Sequence, residues 1–200
     1  LRNHKNLRIY SGLISDGLMH LAEAGALADG AMHIGCALAG SQQLYDWLPN
    51  FESVQLRGCE ETHAPKNLLK LHKFIAINSA LEVDLLGQCN LEFAAGQAVS
   101  GAGGSSDFAR AARYSNEGIS IVALVSSYKK RTLSRIVPTL SSPSLASLGR
   151  GDVDIIVTEH GIADLRNLSV NERARVLINI AEPELRPQLE QQWHNISARF

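Results

Sequence analysis

The sequence has no long hydrophobic run and little net charge of either sign. No apolar segment approaches the roughly 18 residues that a membrane-spanning helix needs, and the first ten residues lack the apolar centre of a signal peptide. The 200 residues sum to a formal charge of −1, and the densest basic stretch, residues 128–135, is short. Charge therefore gives no reason to expect nucleic acid or a membrane surface as a partner, and we expect a cytoplasmic protein.

Cysteine is also scarce, and the cysteines present are isolated. Cys36, Cys59 and Cys89 form no C-x-x-C pair, which excludes both a disulfide framework and a zinc knuckle. We expect all three to be small buried side chains in a reducing compartment.

Familiar catalytic and nucleotide-binding motifs are missing as well. Without a G-x-S-x-G elbow, serine hydrolase chemistry has no support. The stretch V-S-G-A-G-G-S-S (99–106) places Gly101 and Gly103 as in a dinucleotide fingerprint but has Ser106 at the third position, and no P-loop lysine follows. A nucleotide-binding oxidoreductase is therefore disfavoured. The glycines still offer bare backbone ahead of a predicted helix, suited to a phosphate, a carboxylate or a developing oxyanion. A tight strand-to-helix turn is the alternative.

What the sequence does contain is an alternation of strand and helix patterns. Residues 74–93 alternate apolar with small or polar side chains around a turn at Gly87-Gln88, which predicts half-buried strands with some antiparallel pairing. Further strands are predicted at 7–10, 53–58, 119–127 and 152–159. Strands alternating with helices indicate an α/β fold.

Helix signals lie between these strands. Helices are predicted after Ser15, over 105–116, after the capping box S-V-N-E at 169–172, and from Pro183, where Pro187 can shorten or bend the last helix.

Two polar clusters are candidates for chemistry. Glu60, Glu61 and His63 lie together, but no familiar ligand spacing supports a metal site, and a solvated loop is favoured. Glu159 and His160 follow a predicted buried strand, where α/β folds often place functional groups. We expect His160 to be a hydrogen-bonded structural histidine rather than a catalyst.

Four blocks of sequence, taken in order, carry a family resemblance. They are I-N-S-A-L-E-V-D-L-L-G-Q-C-N-L-E (77–92), S-G-A-G-G-S-S-D-F-A-R-A-A (100–112), S-R-I-V-P-T-L (134–140) and the segment 152–189. Together they resemble the C-terminal half of the acetyl-CoA hydrolase/transferase family, which holds the class I CoA-transferases. The resemblance implies a three-layer α/β/α fold with a mixed, partly parallel sheet, formed by residues 1–200 as a single domain.

The resemblance also implies a reaction. Family members move CoA from an acyl-CoA to a small carboxylic acid, or to water, through a glutamyl-CoA thioester, so coenzyme A is a substrate and no cofactor is permanently bound. Each step passes through an oxyanion that needs hydrogen-bond donors. By position, Gly101, Gly103 and Gly104 correspond to the family's loop against CoA and the reacting thioester.

Two departures from the family pattern affect these expectations. In Y-S-G-L-I-S-D-G (10–17), Gly12 stands where the family has its glutamate nucleophile. Glu61 and Glu60 are the candidates to replace it, and a non-catalytic CoA-binding or scaffolding domain is the alternative. Family members also carry a preceding domain, so we expect an N-terminal partner domain that this sequence lacks, and a homo-oligomer.

Overall fold

The amino-terminal part of the chain builds a small parallel sheet. In the computed structural model, which describes residues 1–199, the chain divides into two compact units, one ending at Leu68 and the other running from Leu69 onward. The elements of the first unit are β1 (Tyr10–Ile14), α1 (Asp16–Glu23), β2 (His33–Leu38), α2 (Gln42–Trp47), a 3₁₀ turn (Leu48–Asn50), β3 (Val54–Leu56), α3 (Cys59–Thr62) and α4 (Pro65–Leu68). Its three strands pair in parallel in the order β1-β2-β3.

Close packing and one carboxylate hold this first unit together. A Cβ on Gly35 in β2 would collide with the buried side chain of Ile14 in β1, so the two strands need a glycine there. Asp16, in the first turn of α1, accepts hydrogen bonds from the backbone N–H and the hydroxyl of Ser41. These bonds tie the start of α1 to the start of α2 and hold the pKa of Asp16 below its usual value.

The second unit is built on a four-stranded sheet. Its elements are β4 (Ile75–Ser79), β5 (Glu82–Asp84), β6 (Cys89–Asn90), β7 (Phe93–Ala94), β8 (Gln97–Ala98), α5 (Ser105–Tyr114), β9 (Ile119–Ala123), β10 (Ser127–Tyr128), β11 (Leu133–Ser134), β12 (Ile136–Val137), β13 (Ile155–Thr158), β14 (Gly161–Asp164), α6 (Val170–Asn179), a 3₁₀ turn (Pro183–Leu185) and α7 (Arg186–Ser197). The strand order is β14-β13-β9-β4, in which β4, β9 and β13 run parallel and β14 returns antiparallel beside β13.

Helices α5 and α6 pack on one face of this sheet. Val122 of β9, Ile156 of β13 and Ala163 of β14 are paired neighbours that point to the same side. They are buried in one apolar cluster with Ala109 of α5 and Leu177 of α6, and this cluster is the core of the unit. The capping box at the start of α6 forms as the sequence predicts.

A smaller sheet and its loops depend on buried carboxylates. Strands β12, β5 and β6 form this sheet. Asp84 at the end of β5 accepts hydrogen bonds from the N–H groups of Leu86 and Gln88 and from the side chain of Gln88. Burial outweighs these hydrogen bonds and raises the pKa of Asp84 above its usual value. The neighbouring Glu82 accepts from Ser141 and so holds the Ser- and Pro-rich loop.

The predicted α/β class with mixed parallel and antiparallel pairing is confirmed, as is the turn at Gly87 between antiparallel β5 and β6. The assignment of residues 1–200 to a single domain stays a prediction. The first strand covers Tyr10–Ile14 and not residues 7–10, because Leu7 pairs only through an isolated bridge to Leu27. No helix in the described chain is both long and apolar enough to cross a membrane.

Two further local expectations need correction. Pro183 begins only a 3₁₀ turn, and Pro187 lies in the first turn of α7, where its missing N–H breaks no helical hydrogen bond. Of the three cysteines Cys89 is buried, but Cys36 is half-buried and Cys59 is exposed. The prediction of three buried cysteines is therefore wrong for Cys59, which begins the short surface helix α3.

Candidate functional site

The glycine-rich loop, residues 99–104, leads into α5 with two of its glycines in open space. Its first two residues donate backbone hydrogen bonds to the carbonyl of Glu92. A Cβ placed on Gly101 or Gly103 would meet no atom within 4 Å. Gly103 has a left-handed φ of +55°, which favours glycine, whereas Gly101 does not lie in that region. Nothing in the described chain therefore requires a glycine at 101, and its bare backbone is accessible to a ligand.

The start of α5 adds backbone donors to this loop. Gly104 is the N-cap residue, and no side chain caps the helix. The N–H groups in the first turn of a helix lack intrahelical partners and carry partial positive charge. Asp107 lies in the same turn and opposes an anion by its own charge. The loop thus offers donors to a carbonyl or to a single developing negative charge, and Asp107 disfavours a ligand with several negative charges, such as a phosphate.

The start of α5 lies at the edge of the sheet where β4 and β9 end. Ser115, directly after α5, donates its hydroxyl to the carbonyl of Leu71 and accepts from the N–H of Phe74, which fixes the end of the helix beside the beginning of β4. Since α5 packs along β4 and β9 and matches them in length, its first residues lie toward their carboxyl ends. This is the edge at which open α/β sheets bind ligands.

A serine and a glutamate meet at the same edge. Glu159 follows β13, and its carboxylate accepts hydrogen bonds from the N–H of Ser126 at 2.9 Å and from its hydroxyl at 2.8 Å. Burial raises the pKa of Glu159, but hydrogen bonds from its own backbone and from Ser126, together with His160, outweigh burial and hold the pKa below its usual value. Glu159 is therefore a fixed carboxylate at neutral pH.

His160 lies between two carboxylates. Its Nε2 atom is 3.6 Å from a carboxylate oxygen of Glu182 and 3.8 Å from one of Glu159. Glu182 is only 3% exposed and accepts a hydrogen bond from the hydroxyl of Ser127. One ligand atom from each of the three residues lies within 4.8 Å of the others. This arrangement offers one imidazole nitrogen and two carboxylate oxygens, a set of atoms that can hold a divalent cation.

In the first unit, Gly12 faces the imidazole of His63. A Cβ on Gly12 would lie 3.3 Å from Nε2 of His63 and 3.6 Å from Cε1. Nδ1 of the same ring is 2.8 Å from the hydroxyl of Thr62. A side chain at position 12 would therefore point at His63, and the ring would have to shift by a few tenths of an ångström to admit it.

The two glutamates predicted as replacement nucleophiles are directed elsewhere. Glu61 forms an ion pair with Arg57. Glu60 is exposed, and its carboxylate folds over Gly58, where an added Cβ would collide with it. Among the described residues, no carboxylate atom lies within 4 Å of the Cβ position on Gly12. A catalytic role for Glu60 or Glu61 stays a prediction.

The sequence analysis did not identify three residues that lie around Glu159 and His160 in the second unit, namely Ser126, Ser127 and Glu182. Their hydrogen bonds join positions 33 and 55 residues apart, which no local pattern reveals. One signal was available, because Ser126 and Ser127 end the same apolar run that predicts β9, as Glu159 ends the run that predicts β13.

Comparison with known proteins identifies the family to which the chain belongs. A sequence profile of the acetyl-CoA hydrolase/transferase C-terminal domain matches residues 40–193, so the chain belongs to this family. Its relatives include the 4-hydroxybutyrate coenzyme A transferase of Clostridium kluyveri, 38% identical over 195 residues, and the acetyl-CoA hydrolase of Candida albicans, 32% identical over 197 residues. The alignments cover 94% of this chain but only 46% and 36% of those two proteins.

Solved structures share the fold over nearly the whole chain. RipA from Yersinia pestis superposes with a TM-score of 0.89 at 30% identity, and a 4-hydroxybutyrate CoA-transferase from Porphyromonas gingivalis with a TM-score of 0.79 at 34% identity. Each match covers 98% of this chain and 46% of the other. The chain thus spans about half the length of these relatives.

Proposed function

We propose that this chain is part of an acyl-CoA hydrolase or CoA-transferase that acts on a short-chain acyl-CoA. The observation that carries the proposal is family membership, since a CoA transferase and an acetyl-CoA hydrolase both align with 94% of the chain. Both reactions break the same thioester bond and differ in the acceptor, which is a carboxylic acid in one case and water in the other. Coenzyme A enters this reaction as part of the substrate.

The glycine-rich loop is proposed to hold the reacting thioester. Attack on a thioester carbonyl produces a tetrahedral oxyanion, which backbone N–H groups stabilise when they are already oriented toward it. The accessible backbone at Gly101 and Gly103, and the uncapped helix start at Gly104, provide such donors. The open space at Gly101 supports this role, because packing and conformation within the described chain do not account for that glycine.

Gly12 favours hydrolysis over transfer. Transfer needs a carboxylate on the enzyme that stores CoA between the two acids, and glycine at the family's glutamate position has no carboxylate. Glu60 and Glu61 are directed toward other groups. Water is therefore the acceptor that we expect, with no covalent enzyme–CoA intermediate.

The proposed activity also requires a second domain. Because the chain matches only 46% of the length of several relatives, we propose that full activity requires an N-terminal domain of the kind that they carry. Assembly into a homo-oligomer stays a prediction.

Thiol release tests the reaction class. The chain alone, and the chain joined to the sequence encoded upstream of Leu1, are incubated with acetyl-, butyryl- and succinyl-CoA, with and without acetate. We expect thiol release that does not depend on acetate, and no added mass on the protein after borohydride trapping. Acetate-dependent turnover with a trapped adduct would contradict hydrolysis, and loss of that adduct in a Glu60→Ala/Glu61→Ala variant would identify the nucleophile. Bound CoA without any thiol release would indicate the non-catalytic alternative.

A substitution at Gly12 tests the missing nucleophile directly. Gly12→Glu restores the carboxylate at the position where a side chain points at His63, and we expect it to acquire a borohydride-trapped adduct and acetate-dependent turnover. Gly12→Ala is the matched control, since it crowds His63 equally at Cβ but offers no carboxylate. An adduct in neither variant would mean that position 12 does not face the thioester.

A further inference from the structure

The second face of the four-stranded sheet, opposite α5 and α6, is apolar, and three of its isoleucines are at least half exposed. We call it the outer face, and it consists of the outward-pointing residues Ile75 and Ile77 of β4, Ile119 and Ile121 of β9, Ile155 and Val157 of β13, and Ile162 of β14. The strand registers place these side chains next to one another across the sheet, with Ile77 beside Ile121, Ile121 beside Ile155, and Val157 beside Ile162. Ile75 is 51% exposed, Ile77 50% and Ile162 70%.

The outward positions of these strands carry Ile and Val rather than polar residues. A strand with one solvated face alternates apolar and polar residues, whereas strands of parallel sheets that are covered on both faces are nearly continuous in Val, Ile and Leu. Strands β4, β9 and β13 are parallel and begin I-A-I, I-S-I and I-I-V. Parallel sheets occur almost only with both faces covered. The sequence of these strands therefore fits a second layer over the outer face.

The border of the outer face is polar. Asp164 at the end of β14 forms an ion pair with Arg166, and Ser79 ends β4. An apolar centre with a polar, solvent-accessible border is the usual anatomy of a protein interface. Isolated exposed isoleucines need no explanation, but a contiguous apolar patch does.

We infer that the outer face is the docking surface for the additional domain that the relatives carry. The inference rests on the partner domain proposed above and assigns its position on this unit. The relatives share this fold at TM-scores of 0.79 and 0.89, yet more than half of each of their chains lies outside the match. That length is enough for a whole domain, and it exists in the same polypeptide. A second copy of this chain is the competing occupant.

Docking at the outer face has a consequence for the candidate site. Glu159 is the first residue after β13, and the outward row of that strand ends at Val157, so Glu159 adjoins the border of the outer face. The domain that covers the outer face would therefore border the pair of Ser126 and Glu159 and shield it from solvent.

Cysteine labelling tests the docking surface without relying on activity. Ile162→Cys, and Leu145→Cys as a matched control in the exposed loop 139–149, are each made with the exposed Cys59 changed to serine. Maleimide labelling at each site is followed by peptide mass spectrometry, for the chain alone and for the chain joined to the sequence encoded upstream of Leu1. We expect labelling at position 162 to slow by about tenfold or more when the upstream sequence is present, because the reaction needs an accessible thiolate. Labelling at position 145 is expected to remain unchanged.

Two outcomes would overturn the inference. Equal labelling rates at position 162 in both proteins would show that the upstream domain docks elsewhere. Slow labelling at position 162 in the chain alone, with the mass of a dimer in light scattering, would assign the outer face to a second copy. Slower labelling at position 162 without any thiol release from acyl-CoA would support the docking surface and reject the proposed function. Thiol release with unchanged labelling at position 162 would support the proposed function and reject the docking surface.

A doubly substituted variant tests the same surface without a cysteine. Ile77→Thr/Ile162→Thr keeps β-branched side chains on the outer face while removing apolar surface. We expect it to retain the circular dichroism spectrum and to bind the upstream polypeptide, supplied as a separate chain, at least about tenfold more weakly. Unchanged binding would contradict the inference.

Discussion

Replacing Gly101 by alanine separates contact with a ligand from folding. The added Cβ would meet no atom within 4 Å, and the residue does not occupy the left-handed region. At such compatible positions Gly→Ala stabilises a protein by about 0.4–1 kcal/mol, because the unfolded chain loses conformational freedom. For a chain of this size, 1 kcal/mol corresponds to about 2–4 °C in Tm. We therefore expect the Tm of Gly101→Ala to be unchanged or higher by up to about 4 °C.

The same methyl group enters the space proposed for the thioester. Removing one oxyanion donor from an acyl-transfer enzyme typically lowers kcat by about 100- to 1,000-fold. A methyl group that keeps the carbonyl away from the Gly101 backbone should have an effect at the lower end, and we expect kcat/KM for acyl-CoA to fall about 100-fold. That loss corresponds to about 2.7 kcal/mol of transition-state stabilisation.

The assay pairs thermal unfolding with thiol release and uses Gly151→Ala as its control. A Cβ on Gly151 would approach only the Arg113 side chain, at 4.0 Å, and its φ is not left-handed. This variant should show the same small change in Tm as Gly101→Ala and leave turnover unchanged. If Gly101→Ala turns over acyl-CoA like the unmodified protein, the loop does not contact the thioester. If its Tm instead falls by several degrees, a glycine is required at position 101 for stability, and the space around its Cβ position is not open.

Four further outcomes follow from buried groups and a helix cap. Asp84→Ala removes the acceptor of three hydrogen bonds and should lower the free energy of unfolding in urea by about 2–4 kcal/mol, whereas Asp84→Asn keeps an acceptor oxygen and should lose less than half of that. Burial raises the pKa of Asp84, so the stability that the protonated carboxyl contributes is complete below the usual pKa of 3.8 and is lost as pH rises through the raised pKa. The difference in free energy of unfolding between the unmodified protein and Asp84→Asn should therefore become smaller from pH 4 to pH 7. A difference that stays constant over this range would refute the prediction. Ser169→Ala breaks the capping box of α6 and should cost about 1 kcal/mol, with Ser169→Thr retaining most of the stability in the same thermal scan. With a thiol reagent, the exposed Cys59 should react in the folded protein and Cys89 only on unfolding, since burial raises the pKa of its thiol; early reaction of Cys89 would indicate local opening.

The fold was predictable where its determinants are local. The turn at Gly87 and the capping box that begins with Ser169 depend on a few neighbouring residues, and the periodicity of residues 119–127 reflects a strand whose alternate side chains are buried. Boundaries that depend on pairing were less accurate. The first strand lies at Tyr10–Ile14 because β2 is available as its partner over those residues.

The candidate site was predictable only in its glycine-rich loop. Composition alone identifies the bare backbone at Gly101 and Gly103, whereas the bond between Ser126 and Glu159 exists because the sheet places β9 beside β13. The approach of His63 to Gly12 likewise requires the three-dimensional arrangement of the first unit. Sequence patterns identify residues that could belong to a functional site, but the three-dimensional arrangement of the strands determines which of them lie close together.

The turn between β13 and β14 constrains how this edge of the sheet can diverge. Thr158 pairs with Gly161, so the whole turn consists of Glu159 and His160. In a hairpin this short, loop length fixes the pairing register, and a one-residue slip would send every side chain of the strand to the opposite face. An insertion that shifted this register would therefore turn Ala163 out of the core, whereas exchange of the Glu159 or His160 side chain leaves the pairing unchanged. The mostly exposed loop 99–104 lies outside the paired strands, so its length can change without altering their register.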